Sequence, residues 1–228
     1  MAAVCLLAAG CTAPGPIDTP IARNLSWFSY VGADDLRVAC ARGAPERYRL
    51  VYNAIYTEQV RSYDILTSAI GEGATMETRV TAPARLAGAT LRTPLVPWTP
   101  RMTARPLSRA KLDDLVAAMR KSGVFEPAPS GLQLRSGAFY WVISSCRNGV
   151  FHLNAFVHPS PRFDNLVFVD ALSRLDPSDV PFNPPRQLDR TPPLPSHCGS
   201  RRDPSEECLY PPFLLEVGED GLVGSVPL

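Results

Sequence analysis

The chain has 228 residues, 45% of them hydrophobic, with 23 basic against 22 acidic side chains and a formal net charge of +1. A chain of this length suits one domain with long extensions better than two full domains, and so even a balance creates no field that would favour nucleic acid or an anionic membrane surface. Every apolar run falls short of the roughly 20 residues that a bilayer-spanning helix needs, so no integral membrane span is expected.

The first residues, MAAVCLLAAGCT, form a short apolar run that ends in Ala9-Gly10-Cys11, and Pro14, Pro16 and Pro20 follow at once. The segment Leu6-Leu7-Ala8-Ala9-Gly10-Cys11 resembles the lipobox of bacterial lipoproteins, the substrates of signal peptidase II: an apolar run, two small residues and the cysteine that receives the lipid. Ala8 stands where Leu is usual, with Leu7 one place early, and no Lys or Arg precedes the run. A start codon upstream of Met1 would account for the missing basic residues. The resemblance implies that residues 1–10 are a signal peptide and that Cys11 carries the lipid (palmitate among its acyl chains). The domain would then be tethered on the periplasmic side of a Gram-negative membrane, anchored rather than spanning. A cleaved secretory signal and a buried N-terminal element ending in Cys are the alternatives.

Residues 11–33 read as anchor and linker, and residues 34–176 as the core domain, its first element near Leu36–Cys40. Tyr48–Leu66 is rich in Tyr, Val, Ile and Thr, which suit a pleated, half-buried surface. It is too long for one typical strand, and a break near Asn53–Glu58 splits it into two, a hairpin. Gly71-Glu72-Gly73 marks a turn, and Met76–Ala82 alternates apolar and polar as a half-exposed strand does. A Pro-rich connection around Trp98 comes next.

Arg109–Lys121 is the one clear helix. Ser108 is placed to cap it, and Leu112, Leu115, Val116 and Met119 make a single apolar stripe. Gly123 suits the left-handed cap, with Val124 or Phe125 folding back. The best hairpin is Ala138–His158, because Asn148-Gly149 is the signature of a two-residue type I′ turn. That turn sets Cys146 opposite Phe151, Ser144 opposite Leu153, Val142 opposite Ala155 and Tyr140 opposite Val157. Both faces of the hairpin are apolar, so both need cover: the helix for one, Pro-rich segments carrying Trp98 or Phe213 for the other. A short strand at Leu166–Val169, a helical turn near Ala171–Leu175 and an edge strand at Phe213-Leu214-Leu215 complete the reading. The prolines, four from Pro94 to Pro106 and ten from Pro177 to Pro212, exclude central strands and helix interiors there. Residues 177–228 therefore read as a Pro-rich, disulfide-containing extension packing on the core. The fold class expected is α+β: a mostly antiparallel sheet of five or six strands, one amphipathic helix on a face and Pro-rich extended segments around it.

Cys5 falls in the signal and Cys11 takes the lipid, leaving Cys40, Cys146, Cys198 and Cys208. An even number in an exported domain suggests two disulfides with three connectivities open. Cys198–Cys208 would tie the ends of the polar loop CGSRRDPSEEC, and Cys40–Cys146 follows by elimination. Free thiols and a metal held by His197, Cys198 and Cys208 are the rivals, the latter without the close cysteine spacing of zinc sites. No metal and no cofactor are expected.

His152 and His158 share one face of a strand but stand roughly 20 Å apart, too far to hold one ion. Ser145 opposes His152, yet a triad also needs an orienting carboxylate and an oxyanion hole, and no G-x-S-x-G elbow is present. Asp34-Asp35, Asp113-Asp114 and Glu206-Glu207 are adjacent pairs whose side chains point apart, so they read as solvated charge. Tyr48, Tyr52, Tyr56 and Tyr63, with Phe139 and Trp141, line either a core or a ligand cleft. Pro192-Pro193-Leu194-Pro195 and Pro211-Pro212 suit docking to a partner groove. The expectation is a lipid-anchored, non-catalytic protein of envelope structure or an accessory subunit of a membrane complex. Its partners are the membrane through the anchor and a protein through the Pro-rich tail, with no nucleic acid. A small-molecule or lipid carrier with an aromatic cleft and an unrecognised hydrolase are the alternatives.

Overall fold

A computed structural model describes residues 27–68, 73–81, 101–188, 213–219 and 221–227, the last four of these by backbone alone. Cys5, Cys11, Trp98, Cys198, Cys208, Glu206-Glu207 and the prolines from Pro192 to Pro212 lie outside the described residues.

The long β-favouring run folds as an antiparallel hairpin, β1 (Arg47–Ala54) and β2 (Gln59–Thr67). Alternation in β3 (Gly73–Thr81) buries Ala74, Met76, Thr78 and Val80 and turns Thr75 and Thr81 outward. β4 (Arg101–Ser108), read from sequence as part of a Pro-rich connection, is a strand. It lies at the edge of the sheet, where the missing N–H of Pro106 costs no ladder bond. β6 (Phe139–Arg147) and β7 (Val150–His158) pair in the register the Asn148-Gly149 turn dictates, Cys146 opposite Phe151 and Tyr140 opposite Val157. Both turn residues have positive φ, 53° and 74°, as the type I′ turn requires. The six strands form one antiparallel sheet in the order β4-β3-β2-β1-β6-β7.

One face of this sheet packs against α3 (Arg109–Lys121), α4 (Pro161–Asp164) and α5 (Phe168–Ser173). Ser108 caps α3 by accepting from the Lys111 N–H. The far end closes with Gly123 in the left-handed region, Gly123 N–H donating to Arg120 O and Val124 N–H to Met119 O, a Schellman motif with buried Val124 folded back. The other face is covered by the helical residues 27–32 (α1), continued by α2 (Asp34–Ala39), and by a small sheet. In that small sheet β8 (Phe213–Gly218) lies between β5 (Gln133–Arg135) and β9 (Gly221–Pro227).

The class expected from sequence, a mostly antiparallel sheet with helices, stands, and several details change. The amphipathic helix is not alone, since α1, α2, α4 and α5 join it among the described residues. Leu166–Val169 is no strand: Ser160 caps α4 and Pro161 starts it, and a turn leads from there into α5, whose Phe168 and Leu172 are buried. Phe213–Leu215 belongs to the central strand of the small sheet, because β9 returns along its other side. Residues 27–32, inside the stretch read as linker, are helical, and Val31 and the turn residue Ala33 pack into the interior.

The β6–β7 turn is the most exacting position in the sheet. A Cβ on Gly149 would lie 2.7 Å from the Arg42 backbone at a φ of 74°. Gly149→Ala is expected to destabilise the domain by about 1–3 kcal/mol, read as a lower urea midpoint with unchanged slope. A midpoint equal to wild type would contradict this packing of the turn on the loop after α2.

Candidate functional site

The helix-bearing face also holds an extended segment, residues 176–188, that follows α5 and makes no strand or helix. Its centre is Arg61. Alternation along β2 puts Gln59, Arg61, Tyr63 and Ile65 on one face, and the Arg61 side chain is fully buried. A guanidinium there needs partners for all its donors. Nη1 pairs with Asp176 Oδ2 and donates to Ser178 Oγ at 3.3 Å, Nη2 donates to Val180 O, and Nε donates to Gln59 Oε1 at 2.9 Å. Its Cζ lies 4.0 Å from the centre of the Phe182 ring.

This segment, a strap across the sheet, is held together with the preceding Leu175 through backbone carbonyls by side chains of the sheet. Gln59 Nε2 donates to Pro181 O at 3.0 Å, Tyr52 OH to Asn183 O at 2.9 Å, Arg101 Nη1 to Ser178 O at 3.2 Å and Arg105 Nη1 to Leu175 O at 3.0 Å. In return Asn183 N–H donates to Gln59 Oε1 at 3.1 Å. Asn183 Nδ2 donates to Ala54 O and to Glu58 Oε2, and Arg186 pairs with Glu58. Tyr63 OH donates to Asp176 Oδ2 at 2.7 Å. Burial, then the Asp176 charge, pushes the Tyr63 phenol up, and burial does the same to Tyr52, so both remain donors throughout the ordinary pH range. Beneath the strap Tyr52 stacks on Trp141 with centroids 4.7 Å apart, and Phe168 meets Trp141 edge-on.

No protein-family model, no curated protein and no solved structure matches this chain.

On the opposite face Arg49 does for the N-terminal helices what Arg61 does for the strap. It grips Asp35 through both Nη atoms, at 2.6 and 3.0 Å, donates to Asp64 Oδ1 at 2.9 Å, and lies 4.0 Å over the Tyr30 ring. Tyr30 OH donates to Asp64 Oδ2 at 2.8 Å. Cys40, just past α2, is joined to Cys146 of β6 with Cα atoms 5.5 Å apart.

The residues that patterning offers to chemistry are scattered. His152 packs edge-on against Phe125, and burial followed by the Arg147 charge pushes its pKa down. His158 lies between Phe139 and Phe163. Ser145 opposes His152 in register, but its hydroxyl makes no hydrogen bond. Asp113 pairs with Arg109 one turn away. Among the described residues no group of three or more His, Cys, Asp or Glu could hold a metal ion. Tyr48, Tyr52, Tyr63, Phe139 and Trp141 are buried core, whereas Tyr56 packs on the other side with Trp27 and Phe213. No sequence motif points to Arg61 or to its pairing with Asp176. The available signal was a cation in phase with Tyr63 and Ile65 on the buried side of a strand.

Removing one partner of a buried pair leaves the other uncompensated. Asp176→Leu is expected to cost about 3–5 kcal/mol, and the double change Arg61→Leu/Asp176→Leu less than either single change. Equal additivity in a double-mutant cycle by urea unfolding would contradict the coupling. Burial alone would raise the Asp35 carboxyl, but the hydrogen bonds and charge of Arg49, then Arg47, outweigh it and hold the group below its ordinary value. A lowered folded value adds stability above the unfolded carboxylate range, lost as pH falls through the folded value. Asp35→Asn should therefore flatten the acid limb of the stability profile below about pH 4. An unchanged limb would assign the acid sensitivity elsewhere.

Proposed function

We propose that this chain is an exported, lipid-anchored periplasmic protein that acts without catalysis, as an envelope component or an accessory subunit of a membrane complex. The observation that carries the exported half of this reading is the Cys40–Cys146 link between α2 and β6. Crosslinks of this kind persist in oxidising compartments and are rare where glutathione keeps thiols reduced. The Leu6–Cys11 segment adds the lipid attachment point at Cys11.

The non-catalytic half is supported by what the buried polar side chains do. Arg61, Gln59 and Tyr52 hold a polypeptide backbone, Tyr63 holds the Asp176 carboxylate, and Arg49, Asp64 and Asp35 fasten helices. The aromatic series that a carrier would use as a cleft is filled by its own rings and by Phe182.

Mass spectrometry of the mature protein tests the anchor. The expected N-terminal residue is Cys11 bearing acyl chains, and residues 1–10 still joined to an unmodified Cys11 would overturn it. Pull-down of the lipidated chain from detergent-solubilised membranes tests the role: a stoichiometric protein partner is expected, and recovery of the chain alone would contradict the accessory-subunit reading.

A further inference from the structure

The strap sits on the sheet as a bound peptide sits on a receptor. Beyond Asp176 its backbone makes no ladder or helical bond with the rest of the chain among the described residues; its carbonyls at Ser178, Val180, Pro181 and Asn183 are taken by Arg101, Arg61, Gln59 and Tyr52. Carbonyls are displayed by every residue, proline included, so this mode of holding suits an extended proline-containing segment, which has few N–H groups to satisfy. Pro177, Pro181, Pro184 and Pro185 occupy such positions in the strap. Selectivity comes from two features. Arg61 and Tyr63 converge on one carboxylate, here that of Asp176, and the Arg61 guanidinium with the Tyr52 ring forms a seat for one aromatic side chain, here Phe182. Proline-rich ligands are recognised elsewhere in aromatic-lined grooves.

We propose that the groove lined by Tyr52, Gln59, Arg61, Tyr63 and Trp141 also takes, in place of the strap, an extended proline-containing segment of a partner polypeptide that carries a carboxylate followed by an aromatic residue. This names the partner class for the accessory-subunit reading and rests on it. The strap is the intramolecular competitor. Tethered in place, it acts at an effective concentration in the millimolar range, so a partner segment binds weakly until the strap lets go. The strap's outer side, with Pro181, Pro184, Pro185 and Arg186, faces solvent, which leaves room for a displacing chain to start from the Arg186 end.

The test uses the full oxidised chain and a fluorescein-labelled peptide of sequence RLDPSDVPFNPPRQL, residues 174–188. Phe182→Ala/Asn183→Ala in the chain weakens the strap and leaves every groove residue intact. Fluorescence anisotropy should show this variant binding the peptide at least about tenfold more tightly than wild type, about one pKd unit. A peptide carrying Asp176→Asn should lose about tenfold on the same variant. No binding to a folded strap variant, or equal binding of both peptides, would overturn the proposal. Should the strap variant fail to fold, the wild-type melting temperature in excess peptide decides: a rise that the Asp176→Asn peptide does not produce supports the groove, and no rise refutes it. A strap-exchanged dimer of the wild-type chain would overturn the partner assignment and make a second copy the occupant. Peptide binding without a partner in the membrane pull-down keeps the groove and removes the accessory role, and a partner recovered without peptide binding does the reverse.

Discussion

Neither face of the six-stranded sheet can be left to water, and that constraint organises the molecule. β1, β2 and β6 are buried along nearly their whole length on both sides, so the chain must supply two covers, not one. An antiparallel sheet with a single solvated face would need only alternating strands and one layer of helices. Here the second cover is assembled from distant pieces, α1 and α2 from the N-terminal side and β5, β8 and β9 from later segments. The first is completed by a strap with no regular structure.

Each cover is fastened by a buried arginine set among apolar residues. A lone guanidinium in the position of Arg61 would cost several kcal/mol. The strap supplies the compensation: the Asp176 carboxylate, the Val180 carbonyl, the Ser178 hydroxyl and the Phe182 ring. The dependence is mutual. Residues 176–188 make little regular structure of their own, and the sheet face cannot close without them. Replacing such a pair with hydrocarbon often leaves stability unharmed, so the charged arrangement is better explained by selectivity for one backbone path than by stability. Arg49, with Asp35 and Asp64, repeats the device for α1 and α2, and the Cys40–Cys146 link adds a covalent tie at the same end. By the chain-entropy account a crosslink across a separation of 106 residues constrains the unfolded chain by roughly 4–5 kcal/mol.

The parts of this architecture legible in the sequence are those decided locally. Asn148-Gly149 sets a turn, the turn sets a register, and the register assigns each residue of β6 and β7 to a face. Ser108 and Gly123 bracket α3 because caps act within one turn of the chain. The parts that were not legible depend on tertiary partners. Arg61 and Asp176 are 115 positions apart, and neither carries a local signal of pairing. β4 was hidden by Pro106 and the prolines that precede the strand; an edge strand tolerates a proline and a central one does not. Leu166–Val169 has the apolar composition of a strand, but the capped turn at Ser160-Pro161 before it commits the chain to helix. The aromatic series of β1 and β2 reads first as core, and the strap lying over it leaves no cleft there.

The central claim is that Arg61 holds the strap to the sheet, whereas the backbone ladders of β1, β2 and β6 do not depend on it. Hydrogen exchange of the Ser178, Val180 and Asn183 amides, whose acceptors are side chains rather than strand partners, tests this directly in an Arg61→Met variant. The account predicts that these amides lose protection while those of β1, β2 and β6 keep theirs. Strap amides that stay as protected as in wild type, or protection lost everywhere at once, would contradict it.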